Sequence, residues 1–206
     1  MRADFAFERH GIIFIVSGPS GAGKSTLVAA LLERVPGLTA SISCTTRAPR
    51  HNEQDGQEYH FVDAEEFGRR RDAHEFAEWA EVHGACYGTI RRPLDDAVAD
   101  GRDMLLDIDV QGARHLKRIY REAAVAVMIF PPSWDELERR LRARRTEDDA
   151  TVVRRLTRAR EEAQALLEYD YWLVNRDVQE TITRLEAIVA AERAKVARIV
   201  VEGEIP

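Results

Sequence analysis

Residues 12–35 read IIFIVSGPSGAGKSTLVAALLERV, and three kinds of sequence follow one another along that stretch. Ile12–Val16 is a continuous apolar run rich in β-branched residues, the pattern of a strand buried on both faces. Lys24–Val35 carries apolar residues at helical spacing and stops before Pro36-Gly37. Between them, Gly18-Pro19-Ser20-Gly21-Ala22-Gly23-Lys24-Ser25 supplies a glycine, four residues, then Gly-Lys-Ser. Glycines permit the positive-φ turns that point successive backbone N–H groups inward, and the following helix aims its partially positive N-terminus at the same spot. Lys24 adds a point charge suited to β- and γ-phosphates, and the Ser25 hydroxyl is a hard ligand for Mg2+. Gly18 to Thr26 therefore reads as a binding loop for a nucleoside triphosphate.

The alternation continues outward from there. Met104–Ile108, Ala124–Phe130 and Trp172–Val174 are further strand-like runs, the second cut off by Pro131-Pro132. Helical patterns separate them: Ala113–Arg121, a helix opened by Ser133 with Glu136 completing a capping box, Ala150–Glu168 after a break at Thr146–Asp149, and a closing helix over Val178–Ile199. Strands spaced by helices predict an α/β fold, a parallel sheet with helices on both faces. Residues 38–90 break this rhythm. Thr39–Thr45 alternates in character, Pro49–Gln57 is rich in turn residues, and Tyr59–Val62, a short helix at 63–71 and Glu75–Val82 follow. The stretch reads as a small mixed lobe inserted into a single domain, whose core spans about 11–37, 91–134 and 168–206 and whose helical arm spans about 135–167.

Composition narrows the possible functions. The 206 residues are 45% hydrophobic and 32% charged, as in a folded globular protein. A net charge of -6 argues against a general nucleic-acid binder, which needs surplus Lys and Arg. Residues 139–160 nevertheless hold nine arginines against three acids, so the arm is locally basic. Two cysteines, Cys44 and Cys86, make neither a disulfide framework nor a zinc site. No apolar run approaches the ~18 residues of a membrane helix, and Met1–His10 has no secretory h-region. A cytoplasmic protein without membrane, nucleic-acid or obligate protein partners is expected.

Further motifs identify the class. The inserted lobe carries Ser43-Cys44-Thr45-Thr46-Arg47-Ala48-Pro49-Arg50, then Glu53, Gly56 and Tyr59. Phe76-Ala77-Glu78-Trp79-Ala80, Tyr87-Gly88-Thr89 and Leu106-Asp107-Ile108-Asp109-Val110-Gln111-Gly112 follow. In this order, behind an intact P-loop, the series resembles the guanylate kinase family from about Ile12 to Ala194. The resemblance implies a P-loop NTPase-type core, a GMP-binding lobe and a helical lid. It also implies phosphotransfer from ATP to GMP within purine metabolism, with Mg2+ accompanying ATP and dGMP accepted as well.

The residues support that reading by their own chemistry. Arg47 and Arg50 form a double guanidinium site for one phosphate, and Tyr59 and Tyr87 can donate to the same group. The resemblance implies that these four hold the GMP phosphate. Guanine offers N1–H and N2–H2 donors, which a carboxylate can accept on one edge. Glu78 looks like that acceptor and Asp109 its second, while Ser43 and Thr89 resemble the family's hydroxyl contacts to the base. Adenine presents N1 as an acceptor, so the same carboxylate rejects AMP. Asp107 is either a Mg2+ partner, directly or through water, or a helix-capping carboxylate. Trp79 reads as packing, and Asn175 resembles a contact near the ATP adenine.

In the arm, Arg140 and Arg144 lie one helical turn apart and Arg155 lies beyond the break. They match the family's lid arginines and, with Lys24, form the expected catalytic set for a highly charged phosphoryl group in transit. Arg139, Arg142, Arg145, Arg154, Arg158 and Arg160 read as solvated helix faces. Cys86 stands where Tyr is common before Tyr87-Gly88, a change expected to alter packing only, and Arg145 replaces a common Gly, which stiffens the break. Three rivals compete: a P-loop kinase for another nucleotide, a catalytically silent binding module and an RNA binder using the arm. The Glu78–Asp109 pair, the intact Gly23-Lys24-Ser25 and the overall acidity argue against them in turn.

Overall fold

A computed structural model describes residues 8–51, 53–82, 84–143 and 149–200. The first half of the chain runs β1 (Ile13–Ser17), α1 (Lys24–Arg34), β2 (Leu38–Ala40), β3 (Ser43–Thr45), β4 (Tyr59–Phe61), α2 (Ala64–Asp72), β5 (Phe76–Val82) and β6 (Ala85–Ile90). It continues with α3 (Arg91–Ala99), β7 (Asp103–Asp107), α4 (Val110–Tyr120), β8 (Ala124–Phe130), α5 (Trp134–Ala143), α6 (Asp149–Ala163), β9 (Tyr171–Val174) and α7 (Val178–Arg193).

Five strands form one parallel sheet in the order β2-β7-β1-β8-β9. The surroundings of β1 explain why the opening run has no polar residue. Ile12, Phe14 and Val16 pack on one face with Leu27 and Leu31 of α1 and Leu185 and Val189 of α7. Ile13 and Ile15 pack on the other with Leu94 and Ala97 of α3 and Ala113 and Leu116 of α4. A period of two sends alternate side chains to opposite layers, and each fully buried Ile or Leu contributes about 1.5–3 kcal/mol. Central position in the sheet fixes where β1 ends, and the phosphate loop begins there.

A second, mixed sheet has the order β4-β3-β6-β5, with β3–β4 parallel and β3–β6 and β5–β6 antiparallel. It packs on α2 through Cys44, Phe67 and Phe76, the two phenyl rings stacking with centroids 4.6 Å apart. α5 and α6 form a separate layer around Leu137, Leu141, Val152 and Ala159.

Several expected boundaries shift. Thr39–Thr45 divides: β2 pairs with β7 in the five-stranded sheet, while β3 pairs with β4 and β6 in the other. The helix expected over Ala150–Glu168 ends at Ala163 and tightens into a 3-10 turn over Gln164–Glu168, where Ala165 packs on Val110 and Met128. The closing helix stops at Arg193, because Arg198 folds back to donate to the carbonyls of Glu192 (2.8 Å) and Glu122 (2.7 Å). Ser133 Oγ accepts from Glu136 N (3.1 Å), but the Glu136 carboxylate accepts from Arg139 and Arg140, so the capping box is half formed. Arg144 and Arg145, with Thr146–Asp148 of the expected break, lie outside the described residues.

Candidate active site

The phosphate loop joins the end of β1 to α1. Gly18, Gly21 and Gly23 have φ of 136°, 95° and 96°, where a β-carbon is strained. Gly23 is also the N-cap of α1 and brings no side chain to cap its first turn, which leaves that turn's N–H groups for an anion. Ser25 and Thr26 are positioned at the same turn. Lys24 Nζ folds over its own loop, donating to Gly18 O (2.7 Å) and lying 4.0 Å from Asp107 Oδ1. Burial pushes the Asp107 carboxyl above its ordinary value, and Lys24 pulls against it. The helix cap falls to Asp109, whose Oδ1 accepts from Gly112 N (2.9 Å), so the capping alternative for Asp107 is excluded.

Asn175, expected as a contact near the ATP adenine, lies against the phosphate loop. It is 2% exposed, lies beneath the loop, donates to Ala22 O (2.9 Å) and accepts from the Thr181 hydroxyl (3.3 Å). Its bond to Ala22 O supports the loop from behind. From above, Arg155 Nη1 donates to Ser20 Oγ (3.1 Å). Arg140 Nε donates to Glu136 (2.7 Å), with its Nη1 3.5 Å from the carbonyls of Gly21 and Ala22.

Strand alternation sorts the opposite wall. Along β5, Glu78 turns inward and is 8% exposed, whereas Trp79 turns outward, is half-exposed and lies under Arg71. Trp79, expected to pack, does so at the surface against Arg71 and does not line the cleft. The Glu78 carboxylate accepts from the Thr89 hydroxyl, its partner across the β5–β6 pairing. Burial pushes the Glu78 carboxyl up to about 7, the Thr89 hydrogen bond opposes that shift, and nearby Asp109 adds to it. A β-carbon on Gly112 would lie 2.8 Å from Glu78 Oε2, so α4 passes the carboxylate closely where it has no side chain.

Beside Glu78 lie the phosphate-binding candidates. Arg47 Nη2 donates to both Glu53 oxygens (2.9 Å each), and Glu53 also accepts from Arg50 N (2.8 Å). Arg47 sits over the Tyr59 ring, whose centroid is 5.9 Å from that of Tyr87. The Arg50 side chain is mostly exposed. Cys86 anchors this turn by its backbone: its N–H donates to Thr46 Oγ1 (2.9 Å) and its carbonyl accepts from Thr45 Oγ1 (2.9 Å).

One cleft of about 390 Å³ joins the two walls. Gly18, Ser20, Lys24 and Asp107 line one end; Ser43, Arg50, Tyr59, Glu78, Tyr87 and Asp109 line the other. Arg155 reaches it from α6, together with Arg154, Arg158 and Glu162. Arg47, over the Tyr59 ring, and Thr89, bonded to Glu78, support lining residues without lining the cleft themselves, and Arg140 lies against the loop. Sequence reasoning gives Glu53, Gly112 and Glu162 no role and places Arg158 on a solvated helix face. Glu53 lies inside a quoted motif, but an isolated acid in a turn gives no sign of which arginine it will orient.

The guanylate kinase family model matches residues 11–192. The guanylate kinase of Bordetella pertussis is 51% identical over 185 residues, covering 90% of this chain and 86% of that one. That of Geobacter metallireducens is 44% identical over 192 residues, covering 93% and 94%. The crystal structure of guanylate kinase from Anaplasma phagocytophilum superposes with a TM-score of 0.80 at 38% identity, covering 95% of this chain and 93% of the other. The chain belongs to the guanylate kinase family and is a nucleoside monophosphate kinase.

Proposed function

We propose that the cleft transfers the γ-phosphoryl group of ATP to the phosphate of GMP, ATP + GMP ⇌ ADP + GDP. The observation that carries this reading is the pairing in one cleft of an intact phosphate loop with a buried carboxylate, Glu78, beside an arginine–tyrosine cluster. Gly18 to Thr26 hold the ATP phosphates, with Asn175 bracing the loop. Arg47, Arg50, Tyr59 and Tyr87 hold the GMP phosphate; Glu78 and Asp109 accept from guanine N1–H and N2–H2, and Ser43 and Thr89 complete the base site. Glu53 directs Arg47, a role that passes to the phosphate when GMP arrives.

During transfer the bond from the γ-phosphorus to the β-phosphate oxygen breaks and one to a GMP phosphate oxygen forms. The acceptor is already anionic, so no base has to remove a proton. Lys24, Arg140, Arg144 and Arg155 offset the charge of the group in flight. Ser25, in the first turn of α1, and Asp107, at the end of β7 on the cleft, present hard oxygen donors, a donor set that fits Mg2+. Ser25 and Asp107 would hold the Mg2+ that accompanies ATP, which would supply neutralisation of phosphate charge. The GMP lobe begins after β2, whose Leu38–Ala40 belong to the central sheet, and runs to about residue 90, while residues 135–167 act as a lid whose closure excludes water. The assigned contacts all fall on the base and the phosphate, so dGMP, which differs from GMP at the ribose, is a second acceptor. The free thiols Cys44 and Cys86 fit a reducing cytoplasm, and among the described residues no helix is long and apolar enough to cross a membrane.

A coupled ADP-release assay with GMP, dGMP, AMP, CMP and UMP tests the assignment. Turnover with GMP and dGMP far above the others is expected. AMP turnover equal to that of GMP would overturn the guanine reading.

A further inference from the structure

Arg158 of α6 reads in the sequence as part of a solvated helix face, yet it points into the cleft. Its Nη2 donates to Asp109 Oδ2 (3.3 Å) and its Nε to Glu162 Oε1 (3.0 Å). Arg158, Asp109 and Glu162 are 35%, 21% and 17% exposed at their side chains, and all three line the cleft. Glu162 lies one turn along the same helix, so this pair directs the guanidinium before it meets Asp109.

Asp109 is thereby held from two sides. Gly112 N donates to Oδ1 at the start of α4, and Arg158 donates to Oδ2. Each carboxylate oxygen has about two lone-pair sites, so both oxygens keep one for a ligand. The contacts fix the plane of the carboxylate without using up its capacity to accept. The same three residues also line a second cavity of about 410 Å³ between α4 and α6. The Arg158 bridge thus borders both the cleft and that outer space.

We infer that Arg158 is a positioning residue for base selection, tying α6 to the purine end of the site and holding Asp109 in its accepting orientation. The inference rests on the GMP reading above and deepens it. Arg155, on the same helix, reaches Ser20 of the phosphate loop, so one rigid element touches both nucleotide subsites. Lid closure and guanine recognition are coupled through it. An oriented acceptor lowers the cost of ordering on binding, so loss of Arg158 weakens GMP more than ATP.

The test is steady-state kinetics of Arg158→Leu, Arg158→Lys, Asp109→Asn and the double variant combining Arg158→Leu with Asp109→Asn, with melting curves to confirm folding. In Arg158→Leu the KM for GMP rises about tenfold and the GMP/AMP ratio of kcat/KM falls by a similar factor, while the KM for ATP stays within about twofold. Arg158→Lys recovers part of the loss, because it keeps the charge without the planar fork. In the Asp109→Asn background, Arg158→Leu adds less than about twofold. A wild-type KM for GMP in both Arg158 variants, a parallel rise for GMP and ATP, or full additivity with Asp109→Asn would overturn the inference. A wild-type chain that turned over no GMP would instead overturn the reading on which it rests.

Discussion

At the residue scale, Glu78, the proposed acceptor of the base, is constrained differently by each neighbour. Thr89 donates to it, Asp109 repels it and Gly112 leaves the space it occupies. Its carboxyl, pushed up to about 7 by burial first and by Asp109 to a lesser degree, has two pH consequences. Below its ordinary value of 4.5 both native and unfolded chains hold the proton. Between 4.5 and about 7 the unfolded chain releases it while the native state retains it, so this group lowers stability as pH rises through that window. If Glu78 accepts from guanine as proposed, guanine's donors require the ionised form, so kcat/KM for GMP should rise with pH towards about 7 and then level. In Glu78→Gln that limb should flatten, leaving the titration of the nucleotide phosphate alone. Rate profiles of the two enzymes over about three pH units centred on neutrality check this. Glu78, Asp109, Arg47 and Arg50 could be named as candidates because motifs fixed their order. The environment that raises Glu78 was not, since it is assembled from β5, β6 and α4.

At the element scale, what the chain announced was apolar period and punctuation. β1, α1 and β8 are long, uniform runs, and they form where expected. α3 and β6 gave no such sign. α3 has Pro93 in its first turn and buries Leu94 and Ala97, too few apolar positions to reveal a period. β6 carries Gly88 where the Phe76 ring leaves no room for a β-carbon, so its composition reads as a turn. The α5–α6 pair is the element on which the proposed closure depends. Its cluster is separate from the layers on the central sheet, and a β-carbon on Gly21 would lie 3.0 Å from Leu137 Cδ1, which places that cluster directly on the phosphate loop. Leu137→Ala should cost about 2–5 kcal/mol within this layer. Amide exchange should quicken in α5 and α6 and kcat should fall several-fold, with slower exchange retained in β1, β7 and β8. Uniform acceleration across all elements would contradict a separable lid.

At the scale of the whole molecule, the two ends of the central sheet do different work. Asp107 ends β7 at the cleft; Asp103 begins it at the far end, fully buried between Arg9 and Arg193, and also accepts from Ile12 N (3.0 Å). Asp103 ties an N-terminal segment and α7 to the sheet. Asp103→Ala should therefore cost about 3 kcal/mol in denaturant unfolding. Its kcat should stay near wild type at about 25 °C, well below the roughly 45–65 °C at which such domains melt. A proportionate loss of kcat in folded enzyme would contradict this division between a stabilising end and a reacting end. At the cleft end, a five-stranded phosphate-binding core meets a four-stranded sheet that supplies Glu78. The most direct test of that union is the ratio of kcat/KM for GMP to that for AMP, in wild type and Glu78→Gln. A buried acceptor left unpaired by adenine predicts a wild-type ratio on the order of 10⁴, falling about a hundredfold or more when Gln offers adenine N1 a donor. A ratio unchanged by the substitution would contradict it.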